Sequence, residues 1–383
     1  MTFYFNAYST PLLFGFVQAW VYAILLWVRG RREERLSDVL LGWVLVGMSF
    51  NIWEYMLGFG GIEILWRELD FFPRGLGLLF APLCYFYLRS QFNADFRFSR
   101  RDWWHALPFL VDTGYHLLIF SLGRDFVANW RETVHDPYYI PDITFIFSVG
   151  QSLFYLYLSQ MLYRDYLAWI KTQFSETETL SFHWFRNFLI ALTLSLTFSL
   201  IVTILDIWLD LSFWQDWWDK LAGVILIYYV SITGYAQVQI GKRLTFQPSP
   251  AVPPALPELA NSKAKLLLLM DAEKPYLEAE LSLADLARRM QINPVLLSQV
   301  INVGAGKNFN DFVNEYRVDE FKQRVCDTAN SHLSFLGIAL NCGFNSKATF
   351  NRAFRKCTGL SPKQYAETQR SPGSVTVGAS LDS

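Results

Sequence analysis

The chain has few of the residues from which most enzymes and secreted domains are built. Its four cysteines, Cys84, Cys326, Cys342 and Cys357, stand singly within apolar patterns, and no Cys-x-x-Cys pair occurs. That spacing offers neither a disulfide framework nor a zinc cluster, and packing roles are expected in a reducing compartment. The five histidines form no His-x-x-x-His or His-Glu-x-x-His set. There is no glycine loop of the phosphate-binding kind and no nucleophile elbow, so no catalytic residue, metal or cofactor is expected. The net charge is only -1 across 383 residues, which excludes a chain that is basic throughout. Met1 to Ser9 carry no basic residue, and the first arginines follow the first apolar segment. This is the wrong order for a cleavable signal peptide, and the segment is expected to be a retained span.

What is abundant is apolar and aromatic surface, at 52% and 17% of residues. This is too much for one water-soluble domain of this length, yet the C-terminal third is clearly charged. Seven apolar segments reach or approach the ~20 residues that cross a bilayer, at about 10–28, 37–58, 74–91, 103–122, 143–163, 185–206 and 221–240. Polar residues interrupt the fourth and seventh, so counts of six or eight stay open. Cytoplasmic connections are enriched in Lys and Arg, which allows orientation to be read. The first, third and fifth connections hold eleven: Arg29, Arg31, Arg32, Arg35, Arg89, Arg97, Arg100, Arg101, Arg164, Lys171 and Arg186. The second, fourth and sixth hold five: Arg67, Arg74, Arg124, Arg131 and Lys220. An outside N-terminus and, after seven crossings, an inside C-terminus follow. Residues 1–244 are thus expected to form a transmembrane bundle. In 245–257 five prolines make a stiff spacer, able to reach up to about 40 Å at ~3.1 Å per residue.

The C-terminal region, 258–370, has a different periodicity. Near its end, Ile338 to Asn341 form an apolar helical pattern, Gly343 and Phe344 a turn, and Ser346 the N-cap of a second helix. In that second helix Phe350, Ala353, Phe354 and Cys357 share one face, while Lys347, Ala348, Asn351, Arg352 and Arg355 share another. Asn and Arg suit the edges of adenine and guanine in the major groove, and Lys or Arg suits phosphate. From Ala329 to Arg370 the positive charges exceed the negative by five, a local phosphate-facing excess that predicts salt-sensitive binding. A related unit lies upstream, at Ser282 to Asn302. Asn293 and Pro294 there start a helix with Leu297, Val300 and Ile301 inward and Val295, Ser298, Gln299 and Asn302 outward. A helix from Asn308 to Cys326 joins the two units, and at ~1.5 Å per residue it spans roughly 25 to 30 Å. That length approaches the ~34 Å between successive major-groove faces on one side of a duplex. A leucine-rich helix from about 258 to 274 is expected to cap the first unit, and 371–383 to be a flexible tail.

Residues from about 265 to 369 resemble the DNA-binding domain of the AraC/XylS family of bacterial regulators. The signature residues are Ile338, Ala339, Gly343, Phe344, Phe350, Phe354, Gly359, Ser361 and Pro362. The resemblance implies two recognition helices in consecutive major grooves, at Pro294 to Asn302 and Lys347 to Arg355. Base-facing positions would be Val295, Ser298 and Gln299 in the first, with Lys347, Ala348, Asn351 and Arg352 in the second. The first unit departs from the family pattern at Gln291 and Val295, so it is expected to discriminate less.

The expected fold class is therefore all-α: a seven-helix transmembrane bundle followed by a double helix-turn-helix domain with a central connecting helix. The expected function is a membrane-anchored one-component transcriptional regulator in a bacterial inner membrane, with its C-terminal domain in the cytoplasm. Its expected partners are promoter DNA, the bilayer and an unknown small-molecule or peptide signal. A homodimer and RNA polymerase are further candidate partners. Ionisable groups inside spans are costly, which makes Glu54, Asp112 and His116 candidate sensing residues; bonding among themselves or to nearby helices is the competing role. The connections 123–142 and 206–219 are a second candidate sensor. The alternative function is a membrane transporter or membrane enzyme with a regulatory tail.

Overall fold

A computed structural model describes residues 3–62, 69–93, 96–175, 183–209, 214–236, 256–327, 330 and 332–370. The proline-rich spacer 245–257 falls almost wholly outside these residues, and the tail 371–383 falls entirely outside them. No strand occurs among the described residues. Two compact units make up the chain, one drawn from 1–165 and 183–247, the other from 166–182 and 248–383.

In the first unit the helices are α1 (Ser9–Arg32), α2 (Leu36–Phe59), α3 (Phe80–Phe92), α4 (Leu107–Ser121), α5 (Arg124–Trp130), α6 (Ile140–Gln173), α7 (His183–Leu209) and α8 (Trp217–Ala236). The last turns of α6, from Tyr166, belong to the second unit. α1 packs on α2 and α8, and α2 also on α3 and α8. Small residues let these helices approach closely: a Cβ on Gly15 would lie 2.7 Å from Val224, and one on Gly234 2.7 Å from Leu41. Arg29 fastens the same three helices together, with Nε 2.7 Å from Asp38 and Nη1 donating to the carbonyl of Tyr235 at 2.7 Å.

Among the described residues four helices, not seven, are long and apolar enough to cross a membrane by length and composition: Ser9–Arg32, Leu36–Phe59, Ile140–Gln173 and Trp184–Leu209. The other three expected crossings fall short for distinct reasons. Segment 74–91 yields a 13-residue α3 after a 3-10 turn at Gly77–Leu79. Segment 103–122 opens with a 3-10 turn at Asp102–Ala106, leaving 15 residues for α4. Of segment 221–240 only 221–236 lies within the described residues, in α8, whose first turn also carries Asp219 and Lys220. The connection 123–142 is not an open loop either: α5 and a π turn at Arg131–His135 occupy most of it.

In the second unit, α9 (Leu256–Glu273), α10 (Leu283–Met290), α11 (Pro294–Gly304), α12 (Phe309–Cys326), α13 (Phe335–Asn341), α14 (Lys347–Thr358) and α15 (Pro362–Arg370) form two small cores. The first gathers Leu266, Met270, Leu286, Leu297, Val300 and Ile301 with Phe309, Phe312 and Val313 of α12. The second gathers Ile338, Ala339, Phe344, Phe350 and Phe354 with Val318 and Phe321, also of α12. The connecting helix therefore supplies its first half to one core and its second half to the other. Cys342 is buried in the second core, but Cys326 and Cys357 are exposed and do not pack as expected. Each lies in the last turn of its helix.

Candidate nucleic-acid interface

Polar side chains specify where each helix of the paired units begins. Ser282 Oγ accepts from the amide of Asp285 at 3.2 Å, and the Asp285 carboxylate returns the contact to the Ser282 amide, forming a capping box on α10. Asn293 caps α11 through the amide of Val295 at 2.8 Å, Asn308 caps α12, Ser334 caps α13, and Ser346 caps α14 through the amide of Thr349 at 3.1 Å. Such caps contribute typically ~1 kcal/mol each and fix which residue faces which way.

α14 then presents two unlike faces. Thr349, Phe350, Ala353 and Phe354 are buried, while Lys347, Ala348, Asn351, Arg352 and Arg355 are exposed. Among the described residues, no salt bridge engages Lys347, Arg352 or Arg355, so their charge is available to a ligand. The other cations of the local excess are less available: Lys356 Nζ lies 2.7 Å from Asp311 Oδ1, and Lys363 lies 3.9 Å from Glu367. The Arg370 side chain lies outside the described residues. Ser346 is half-buried, with its hydroxyl committed to capping. A groove beside this face, about 470 Å³, is lined by Lys347, Asn351, Arg355 and Lys363 with Phe335, Leu336 and Pro362.

α11 is the uncharged counterpart. Leu297, Val300 and Ile301 are buried, Val295 and Asn302 exposed, and Ser298 and Gln299 half-buried. Asn302 Nδ2 donates to Ser298 Oγ at 3.3 Å, so two of its four outward residues already bond each other. It carries no charge on that face. α12 has 18 residues and is therefore about 27 Å long.

The joint between the two small cores turns on residues that sequence reasoning did not single out. Arg317, midway along α12, is fully buried between the two cores. Its Nε donates to the carbonyl of Tyr276 at 2.7 Å and its Nη2 to the carbonyl of Glu278 at 2.8 Å, while its guanidinium lies 5.8 Å from the centre of the Phe344 ring. One turn further on, Glu320 accepts from Lys274 at 2.9 Å, Tyr276 at 3.0 Å and Arg324 at 2.8 Å. Burial works to raise its pKa, but those three hydrogen bonds outweigh burial and hold the carboxyl below its ordinary range. Gly343 closes the joint: at φ 93°, a Cβ there would stand 2.4 Å from the carbonyl oxygen of Tyr276.

The candidate sensing residues do not converge. Glu54 pairs with Arg74 at 3.2 Å and lines a cavity of about 550 Å³ in the first unit. Asp112 and His116 are not among its lining residues. His116 Nδ1 lies 2.9 Å from the backbone carbonyl of Asp112, and its ring packs with Phe71, Tyr115 and His135. Tyr115 in turn bonds His135 at 2.8 Å and accepts from Trp130 at 3.1 Å.

Residues 286–368 match the family described as a helix-turn-helix domain. The chain is 31% identical over 94 residues to the HTH-type transcriptional regulator YtdP of Bacillus subtilis, covering 24% of this chain and 12% of that one. It is 29% identical over 103 residues to the regulatory protein PocR of Salmonella typhimurium, covering 27% of this chain and 32% of PocR. The same identity and length relate it to the HTH-type transcriptional regulator CdhR of Pseudomonas aeruginosa, covering 27% of this chain and 30% of CdhR. The chain thus spans a third or less of the length of these relatives. No solved structure matches it.

Proposed function

We propose, from the AraC-type helix-turn-helix domain that residues 286–368 form, that the chain is a membrane-anchored transcriptional regulator reading duplex DNA through α11 and α14. One observation carries the DNA reading: Lys347, Asn351, Arg352 and Arg355 stand exposed on one face of a helix whose opposite face is locked into a core. A second head at the other end of a ~27 Å rod suits the next major-groove face of the same duplex. The three named relatives are regulators, which favours this over a transporter or a membrane enzyme.

Anchoring is supported by how little of α6 and α7 is covered. Only 11% of the most apolar stretch of each is buried, leaving Ile146, Phe154, Leu194 and Ile204 exposed. In water such a surface far exceeds what a monomeric protein tolerates; in a bilayer it is solvated. The arginine-rich connections favour a cytoplasmic side for the ends that carry Arg29 to Arg35. A DNA-reading C-terminus on that same side requires an odd number of crossings, so we infer that short helices among α3, α4 and α8 complete the four long ones.

Sensing is assigned to the Glu54 cavity. Ser148, Ser152 and Ser159 of α6 and Ser195, Ser199 and Thr203 of α7 line it among apolar neighbours. Hydroxyls within an apolar wall favour an uncharged amphipathic ligand, with the Glu54 and Arg74 pair at one end.

The test uses the purified full chain in lipid nanodiscs, selecting from a random duplex library. The expected outcome is enrichment of two half-sites about one helical turn apart, with binding that weakens steeply as salt rises. Retention of all sequences equally would remove the regulator reading.

A further inference from the structure

The most committed contact in the second unit is made by a residue from far upstream in the chain. Ser175 follows α6 and is fully buried. Its amide donates to the carbonyl of Leu281 at 3.2 Å, and its hydroxyl donates to the same carbonyl at 2.6 Å. Its hydroxyl oxygen accepts from Arg317 Nη2 at 3.1 Å, and its own carbonyl accepts from Asn310 Nδ2 at 2.6 Å. Beside it, Phe174 forms an antiparallel bridge with Ser282, the N-cap of α10. Every polar atom of Ser175 is therefore used, and the segment lies against 281–282 as an added strand lies on a sheet edge.

The receiving groove is the joint itself. Arg317 ties the 276–279 turn to α12 and stands against Phe344, so the residue that bonds Ser175 also sets how the two reading heads meet. Buried polar networks of this kind hold one geometry when satisfied and loosen when a member is lost.

We propose that 281–282, Asn310 and Arg317 form a docking groove for the Phe174–Ser175 segment, and that its occupancy fixes the spacing of α11 and α14 on DNA. This rests on the DNA reading proposed above. Phe174 and Ser175 continue directly from α6, whose earlier turns line the Glu54 cavity, so a shift in α6 changes how well the segment seats. Docked, the heads accept one half-site spacing; withdrawn, they tolerate several.

The experiment uses the full chain in nanodiscs with Cys326→Ser and Cys357→Ser, which removes the two exposed thiols. Phe174→Cys with Ser282→Cys then tests docking, because residues paired across an antiparallel bridge sit about 4.5 to 5.5 Å apart at Cα, within disulfide reach. Disulfide formation is read by peptide mass spectrometry with no DNA present, so docking is judged separately from DNA binding. Two duplexes follow: the selected one, and the same half-sites set about two base pairs further apart. The oxidised pair should prefer the selected spacing about tenfold more strongly than the reduced pair, the worth of roughly one charge-assisted hydrogen bond. Ser175→Pro, which deletes an amide donor, should bind both duplexes alike, and the milder Ser175→Ala should fall between. The Ser282→Cys single variant controls for the lost cap. Failure of the disulfide to form overturns the docking groove. Equal spacing preference in the oxidised, reduced and Ser175→Ala proteins overturns the coupling.

Discussion

At the end of α10 a glutamine, Gln291, adopts the left-handed conformation at φ 56° with its side chain in solvent. At the end of α13 the residue in that conformation is Gly343, at φ 93°, pressed against the carbonyl of Tyr276. The turns are alike in backbone hand and opposite in surroundings. Only the second needs both a permissive backbone and the absence of a side chain, because only the second lies where the two small cores of 248–383 meet. The reading faces differ in parallel: α11 offers Val295, Ser298, Gln299 and Asn302, whereas α14 offers three cations and an amide. The helix-turn-helix that carries the three cations is thus also the one whose turn is pressed into the joint.

The contrast breaks most completely at Gly343. Gly343→Ala adds the left-handed penalty, ~1 to 2 kcal/mol, to a 2.4 Å clash with a carbonyl that Arg317 already holds. We expect a loss of about 3 kcal/mol, seen as early loss of hydrogen-exchange protection in α13 and α14 of the full chain, with α10 and α11 less affected.

Next in size is the reading face. Arg352→Ala should cost ~1 to 3 kcal/mol at the selected site and leave random DNA nearly unaffected, as measured by competition binding. Ser298→Ala, on the half-buried face of α11, should cost well under 1 kcal/mol. An equal loss from both substitutions would erase the distinction between the heads. An equal Arg352→Ala loss on every sequence would make that arginine a phosphate contact.

Glu320 tests the joint by titration. Its carboxyl is held below its ordinary value of 4.5, so its contribution is complete above that pH and disappears as pH falls through the lower folded value. Because Lys274 and Arg324 are partly solvated, the contribution is roughly 1 to 2 kcal/mol. Glu320→Gln should lower stability at pH 7 by about that amount and flatten the decline as pH falls below the ordinary value of 4.5. The readout is exchange protection at α12 across that range. An unchanged acid slope would show that another carboxylate governs it.

These residues also mark where the sequence was legible. The α14 faces could be read because a single helix period sorts Phe350 and Phe354 from Asn351 and Arg352, and no distant partner is needed. The glycine at 343 could be read for its backbone, but not for its proximity to Tyr276, which lies 67 positions earlier. Arg317 sits among Asn, Asp and Glu on a charged helix and reads locally as solvated; only the meeting of two cores buries it. Ser175 gives no signal at all, since what makes it matter is 106 residues away at Leu281. Segments 74–91 and 103–122 read as crossings from apolar content, which is blind to the 3-10 turns that use up their first residues.

The smallest expected effect is the one that equalises the turns. Gln291 bears a left-handed strain that glycine would not, and its Cβ and amide find open solvent. Gln291→Gly should therefore stabilise the first helix-turn-helix, α10 with α11, by roughly 1 kcal/mol less the added freedom of glycine in the unfolded chain. The gain should appear in exchange protection of α10 and α11 and nowhere in α13 or α14. It should also leave DNA discrimination as it is, because the outward face of α11 is unchanged. A gain in sequence preference on Gln291→Gly would mean that turn strain, and not the uncharged face, weakens the first head as a reader.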